Sequence, residues 1–476
     1  MTRLGRDNIE QLRVRPELDP GDLSEGIVHI GLGAFHRAHQ AVYTQDAILR
    51  AGDRSWGIVA VAPRSQASVD AMAAQDGFYT VLTREDSRQQ AGIVGVHTAP
   101  LHLPSDPAAA VDALARPGTR IVTLTVTEKA YGLDPITGGL SDRSAARAEI
   151  AAGAPRSPIG LLVRGLQRRA EHGAPVTVVC CDNLRANGAA VRGLVHDYVA
   201  LLPEPARGRT SAYIDGSVTF PNTVVDRIVP ATTPDDLRSV PEIIGARDDI
   251  AVVAESFSQW VMQDRFAAGR PAWELAGATV TSDVSGYEQL KLRLLNAPHS
   301  ALAYLGLFRG HRLIAESVRD DAVRAFVERL VTDELIPTVT APNGVEPASY
   351  AADVLARFSN LALRYTNRQV AMDGSRKLPE RLVSAVRERY AQGQPSPRAL
   401  LVVAAWLCLV LRSDSPVEEP LADVLRGRSG AGSAPPPIPE VLGADLDTDP
   451  EIRVVLTRHF RAIERHGIDG VVADLS

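Results

Sequence analysis

The chain has 476 residues, about three typical domain lengths, so two or three domains with sizeable cores are expected and a small stapled fold is excluded. With 45% hydrophobic and 23% charged residues and a mean hydropathy of −0.04, it is too apolar for a disordered chain and too polar for a membrane protein. Lys and Arg number 51 against 57 Asp and Glu, a formal charge of −6 with the signs interspersed, which leaves no basic footprint for nucleic acid. The cysteines Cys180, Cys181 and Cys408 form no C-x-x-C pair, and the N-terminus carries no apolar signal-like run, so a reducing, cytoplasmic location is expected.

Apolar β-rich runs alternate with helical stretches through the first half, which predicts a mostly parallel sheet flanked by helices. The first strand is expected at 27–31. It runs into Gly31-Leu32-Gly33 and a stretch of helical pattern, a strand–glycine turn–helix suited to close approach of a dinucleotide pyrophosphate. The match to G-x-G-x-x-G is partial, because His36 stands where the third glycine would be. His36 and His39 share a helix face, but no carboxylate or cysteine lies nearby to complete a metal set, so no metal is expected. Arg37 beside a phosphate is chemically natural, and a surface cation is its bland alternative.

The second strand, at 56–62, ends Val61-Ala62-Pro63-Arg64-Ser65 without the acid that usually holds the adenosine ribose. Arg64 and Ser65 could receive a 2′-phosphate, which keeps NADP open beside NAD; a solvated loop explains them equally. Further strands are expected at 78–82, 120–126, 176–181 and 250–254. The fifth of these six ends in Cys181-Asp182-Asn183-Leu184-Arg185-Ala186-Asn187-Gly188, a polar cluster at a strand's carboxyl end that reads as a ligand site or as a capped turn.

Near residue 280 the texture becomes helical, giving an expected Rossmann-type dinucleotide domain at 1–281 and a mainly helical substrate and catalytic domain at 282–476. Its opening segment places Glu288, Lys291 and Leu295 on one helix face and brings Asn296 and His299 to its far end. A lysine among leucines can become a base near neutral pH because desolvation disfavours its ammonium, although a surface lysine is the commoner case. Glu288 pairs with Lys291 or relays its proton. The apolar run 399–411 is shorter than the roughly 20 residues of a membrane span and reads as a buried helix. The Gly/Pro-rich 427–440 reads as an exposed loop.

Several of these segments resemble, in order, the motifs of the polyol-specific long-chain dehydrogenases, the mannitol 2-dehydrogenase and fructuronate reductase group. They are GLGAFHRAHQAVY at 31–43, TLTVTEKAY at 123–131, CDNLRANG at 181–188, FPNTVVDRIVP at 220–230, ESFSQWVMQD at 255–264, KLRLLNAPHSALAYLG at 291–306 and DGSRKLP at 373–379. The resemblance implies an α/β Rossmann-type domain followed by a helical one, with a zinc-independent active site between them. Matched residue by residue, it makes Lys291 the general acid/base, Asn187 and Asn296 the groups polarising the substrate carbonyl, and His299 a substrate-positioning residue. Gly31 and Gly33 become nucleotide contacts, and with Ala34, Phe35 and Arg37 after them and Arg64 after the second strand they make the expected cofactor-facing set. Three positions depart from the family pattern: Ala297-Pro298 between the asparagine and histidine, Ala130, and Arg376 where glutamine is usual.

The expected reaction is hydride transfer between a nicotinamide cofactor, NAD ahead of NADP, and C2 of a linear sugar acid or polyol. D-fructuronate/D-mannonate stands ahead of fructose/mannitol. Arg376, Lys377 and Arg381 are the cations available to a substrate carboxylate. The competing class is a dinucleotide-binding sensor without chemistry. No nucleic acid or membrane partner is expected, and a monomer is the default for an oligomeric state that the sequence does not fix.

Overall fold

The computed structural model describes residues 2–85, 88–134, 137–415, 417–429 and 434–475. The chain divides into two compact units, Met1–Val284 and Ser285–Ser476.

The strands of the first unit, in chain order, are β1 (Glu25–Ile30), β2 (Gly57–Ala62), β3 (Tyr79–Glu85), β4 (Arg88–Val94), β5 (His97–His102), β6 (Ile121–Leu124), β7 (Val176–Cys180), β8 (Val218–Thr219), β9 (Thr223–Asp226), β10 (Val252–Ala254), β11 (Gln259–Gln263) and β12 (Thr279–Thr281). Six of them form one all-parallel sheet in the order β5-β2-β1-β6-β7-β8. Every residue of β2, β6 and β7 is buried, which explains why they read as unbroken Val/Ile runs rather than alternating ones. Val28 and Ile30 pack with the helices Pro107–Ala115 and Pro158–Arg169 on one face, while Ile27 and Ile58 pack with Ala41, Ala47 and Ile48 of Gln40–Ala51 on the other. The strand order reverses at β1, so the carboxyl ends of β1 and β6 flank the switch point where open α/β sheets bind ligands.

Two of the expected strands lie elsewhere. Those at 78–82 and 250–254 pair with each other in a separate three-stranded sheet, β10-β3-β4, in which β3 and β4 form an antiparallel hairpin. A third small sheet, β12-β11-β9, was not signalled by the sequence. Its strands are short and half-polar, and apolar periodicity gives no purchase on such segments.

The second unit is helical. Pro397–Leu411 forms its centre, buried from Ala399 to Val410, and Pro450–His466 packs along it. The exposed loop expected at 427–440 holds at Ser429, Ala434 and Pro437, which are exposed and outside any helix, and is corrected elsewhere. Arg428 ends a helix, Pro435, Pro436 and Ile438 are buried, and Arg453 donates to the carbonyls of Pro435 and Pro436 at 2.6 and 3.3 Å. Proline carbonyls without N–H partners are good buried acceptors for a guanidinium, and composition alone cannot reveal that. Residues 430–433 of that segment lie outside the described residues.

Among the described residues three wide π-turns interrupt the helices, at Lys291–Asn296, Leu330–Leu335 and Pro379–Val383, each within two residues of a proline or containing one. A proline inside a helix lacks the N–H for the i−4 carbonyl and crowds it, and a widened turn relieves both.

Candidate active site

At the end of β1, Gly31 has φ +117, and a Cβ there would lie 1.9 Å from the Thr125 carbonyl oxygen after β6. Only glycine fits. Gly33 differs: its φ is −82, it is exposed, and a Cβ would meet nothing within 4 Å. Nothing within the unit demands glycine at 33, so the open space beside it suits a ligand approaching the turn from outside. This pair of glycines fits a dinucleotide. Ala34 and Phe35 follow, half-buried, in the five-residue helix Ala34–Ala38, which His39 separates from Gln40–Ala51. Phe35 stacks on His39 at 4.9 Å.

Arg37 does not face this open side. Its guanidinium is enclosed and donates to the Ile250 carbonyl, its own carbonyl accepts from the Tyr79 hydroxyl at 2.7 Å, and burial pushes its pKa down. It clamps the turn onto the second sheet. His36 and His39 also hold different partners, His97 Nε2 at 2.9 Å and the Gln259 carbonyl at 2.8 Å. Arg64 is exposed at the end of β2, and Ser65 beside it caps the helix Gln66–Ala74 by accepting from Ser68 N at 3.2 Å.

After β7, the Asp182 carboxylate accepts from Val126 N at 2.8 Å and from the Tyr131 hydroxyl at 2.6 Å, tying the segment after β6 to that after β7. Asn187 is 1% exposed and fully engaged. Its Nδ2 lies 3.0 Å from the carbonyls of Cys180 and Thr223 and from Thr223 Oγ1, and its Oδ1 accepts from Thr223 N at 2.8 Å. The amide expected to face a substrate is thus turned inward, and it reaches one only by giving up a bond here.

In the second unit, Lys291 opens the π-turn and Asn296 ends it. Both are buried, at 7% and 8% exposed, and Glu288 is half-buried one turn earlier. Arg293, on the same turn, donates to the Thr338 carbonyl and pairs with Glu388, which anchors the turn against its neighbours. Pro298 sits in the first turn of Ala297–Phe308, where a proline is tolerated once the preceding turn is widened.

His299 follows, its ring stacked on Phe358 at 4.4 Å and tilted against Tyr365 at 5.3 Å. Among the described residues its Nε2 has no hydrogen-bond partner. Burial, and then the charges of Arg381, Lys377 and Arg357, hold its pKa well below the ordinary histidine value, so the ring is neutral. Arg381 Nη1 donates to Ser300 Oγ at 3.0 Å and Lys377 Nζ to the Val370 carbonyl at 3.3 Å, whereas Arg376 is exposed. Asn296, His299, Lys377 and Arg381 therefore belong to one neighbourhood of this unit, with Lys291 five residues before Asn296 at the start of the π-turn and Arg376 exposed. Arg357, Phe358 and Tyr365 were not foreseen, because they act through packing on a histidine more than fifty residues earlier in the chain.

The first unit matches the mannitol dehydrogenase Rossmann domain over residues 25–275, and the second the mannitol dehydrogenase C-terminal domain over 283–431. The chain is 39% identical over 400 residues to a D-mannonate oxidoreductase of Escherichia coli, covering 83% of this chain and 81% of that protein. It is 33% identical over 484 residues to a mannitol 2-dehydrogenase of Pyricularia oryzae, covering 98% and 95%. The Pseudomonas fluorescens mannitol 2-dehydrogenase, solved as a ternary complex with NAD and D-mannitol, superposes with a TM-score of 0.90 at 31% identity over 100% of this chain and 99% of that one. With a glycine turn that fits a nicotinamide dinucleotide and both family domains in order, this chain belongs to the mannitol dehydrogenase family of oxidoreductases, which act on the CH–OH groups of polyols and sugar acids.

Proposed function

We propose that the protein interconverts D-fructuronate and D-mannonate with NAD(H) as cofactor. The observation that carries this reading is the unpartnered Nε2 of neutral His299, set among Arg381, Lys377 and Arg357 and three residues beyond the buried Asn296. Three cations around a substrate-facing histidine favour an anionic substrate over a neutral hexitol. The similarity to a D-mannonate oxidoreductase supports the same choice, and the NAD in the related mannitol complex supports the cofactor.

The cofactor supplies hydride for C2 of the keto acid. Lys291 donates the proton to the C2 oxygen as charge develops on it, and the Asn296 amide stabilises that charge without ionising. Neutral His299 holds a neighbouring hydroxyl. Asn187 polarises a substrate carbonyl by exchanging one of its bonds at the β7 end for it. In the oxidation direction Lys291 takes the proton, and Glu288, one turn away, passes it to solvent.

The test is NADH consumption by the purified protein with fructuronate and fructose compared directly. A kcat/KM for fructuronate at least about tenfold higher, or roughly 1.4 kcal/mol in transition-state binding, is expected. The reverse order moves the protein to mannitol 2-dehydrogenase, the reading favoured by its superposition on the mannitol complex. Lys291→Ala should lower kcat by about 10²–10⁴.

A further inference from the structure

We propose that His29 is a positioning residue that orients the glycine turn for the cofactor's pyrophosphate; the inference rests on the dinucleotide reading of that turn. His29 lies on β1, fully buried, two residues before Gly31. Its Nε2 is 2.7 Å from the Gly31 carbonyl and its Nδ1 is 2.7 Å from Thr123 Oγ1 on β6. A carbonyl only accepts, so Nε2 carries the hydrogen. Nδ1 is then bare and accepts from the Thr123 hydroxyl, and the two neighbours together select one neutral tautomer.

The Gly31 carbonyl also accepts from Gly33 N at 2.8 Å, so two donors hold it on the inner side of the turn. In a trans peptide the C=O and the following N–H point in opposite directions. Pinning the Gly31 oxygen inward therefore aims the Leu32 N–H the other way, the positive end of that peptide dipole. Without His29, the peptide is free to rotate its oxygen outward, where it would repel a pyrophosphate. Gly31 at φ +117 is the residue best able to make such a rotation, which is why an external lock is needed.

The lock is itself held. The His29 ring stacks on that of His36 at 3.3 Å with an interplanar angle of 10°, and His36 Nε2 meets His97 Nε2 at 2.9 Å. That contact requires one N–H and one bare nitrogen, so His36 and His97 cannot both be charged. The rings form a neutral, buried cluster beneath the turn, and no step of the reaction uses any of them.

The test is binding of NADH, ADP-ribose and adenosine to the wild type, His29→Phe, His29→Gln and Thr123→Val. Phenylalanine keeps the stack and removes the donor, whereas glutamine can offer an N–H to the same carbonyl. We expect His29→Phe to weaken NADH and ADP-ribose about tenfold, the worth of one directed hydrogen bond, with adenosine unchanged and His29→Gln recovering most of the loss. A folded His29→Phe that binds ADP-ribose as the wild type does, or loses adenosine equally, overturns the proposal. If His29→Phe does not fold, Thr123→Val decides: a loss of about threefold for ADP-ribose alone supports the lock and no loss removes it. A wild-type protein that binds adenosine but neither pyrophosphate ligand would overturn the dinucleotide reading itself.

Discussion

Arg381 donates to Ser300 Oγ at 3.0 Å, and through that contact a π-turn of one helix is fastened to the helix that carries His299. One nitrogen of the guanidinium is spent on this, which divides the basic residues of the 373–381 segment by role. Arg381 shapes the neighbourhood, and Lys377 supplies a compact ammonium whose charge reaches His299. Lys377→Met is therefore expected to cost on the order of 2–5 kcal/mol in transition-state binding for fructuronate and much less for fructose. Arg381→Met should impair both substrates. Parallel losses for both substrates in Lys377→Met would remove its charge-reading role, and the paired kcat/KM values decide it.

Asn187 gives a prediction with two readouts. Because its amide joins the end of β7 to Thr223, Asn187→Ala leaves the Thr223 N–H without its acceptor and takes a donor from the Cys180 and Thr223 carbonyls. An unfolding free energy lower by about 1–3 kcal/mol should accompany the loss of activity. Loss of activity with undiminished stability in denaturant titration would mean that the inward bonds carry little weight and that the amide serves the substrate alone.

Arg64 tests cofactor choice. It is exposed at the carboxyl end of β2, the strand whose end holds the adenosine ribose in this kind of sheet. With NAD as cofactor, Arg64→Ala should leave the NADH:NADPH ratio of kcat/KM within about twofold, whereas a guanidinium that grips a 2′-phosphate would shift it by tenfold or more.

Acid should weaken the fold through its buried histidines. Burial lowers His29 and His97 to about 3 and His36 well below the ordinary value of 6.5. His97 is faced by His36, the Tyr79 ring and the charge of Arg37, and His29 by Thr123 and His36, so among the described residues no carboxylate is in place to stabilise a cation. The unfolded chain takes up protons below pH 6.5 and the folded one does not, so stability is complete above 6.5 and falls as the pH drops toward 3. Each histidine contributes up to about 1.4 kcal/mol per pH unit. Asp248, which burial pushes upward, opposes this weakly at the acid end. Denaturant midpoints between pH 7 and 4.5 check the slope, and His97→Asn should remove about one proton from it. A flat profile would show that these rings titrate normally in the fold.

Much of the architecture was legible in the chain. β2, β6 and β7 are continuous apolar runs because they are buried on both faces, and Pro397–Leu411 is apolar all round because it is the centre of a helical unit. Gly31 and Gly33 marked the turn because no other residue serves a positive φ or a bare approach so well. Lys291, Asn296 and His299 could be named together because they fall within nine residues of one continuous helical segment.

Only the tertiary structure decided what these side chains face. It turned Arg37 and Asn187 inward, moved two expected strands into a second sheet, and gave His299 its aromatic and cationic surroundings from residues more than fifty positions away. It also stacked His29 on His36 beneath the glycine turn, although nothing in their spacing sets them apart from ordinary core histidines. Local periodicity records which face of an element is apolar, and that is written in neighbouring residues. Hydrogen-bond partners, neutral tautomers and charge surroundings are set by contacts between distant segments, and those exist only once the chain has folded.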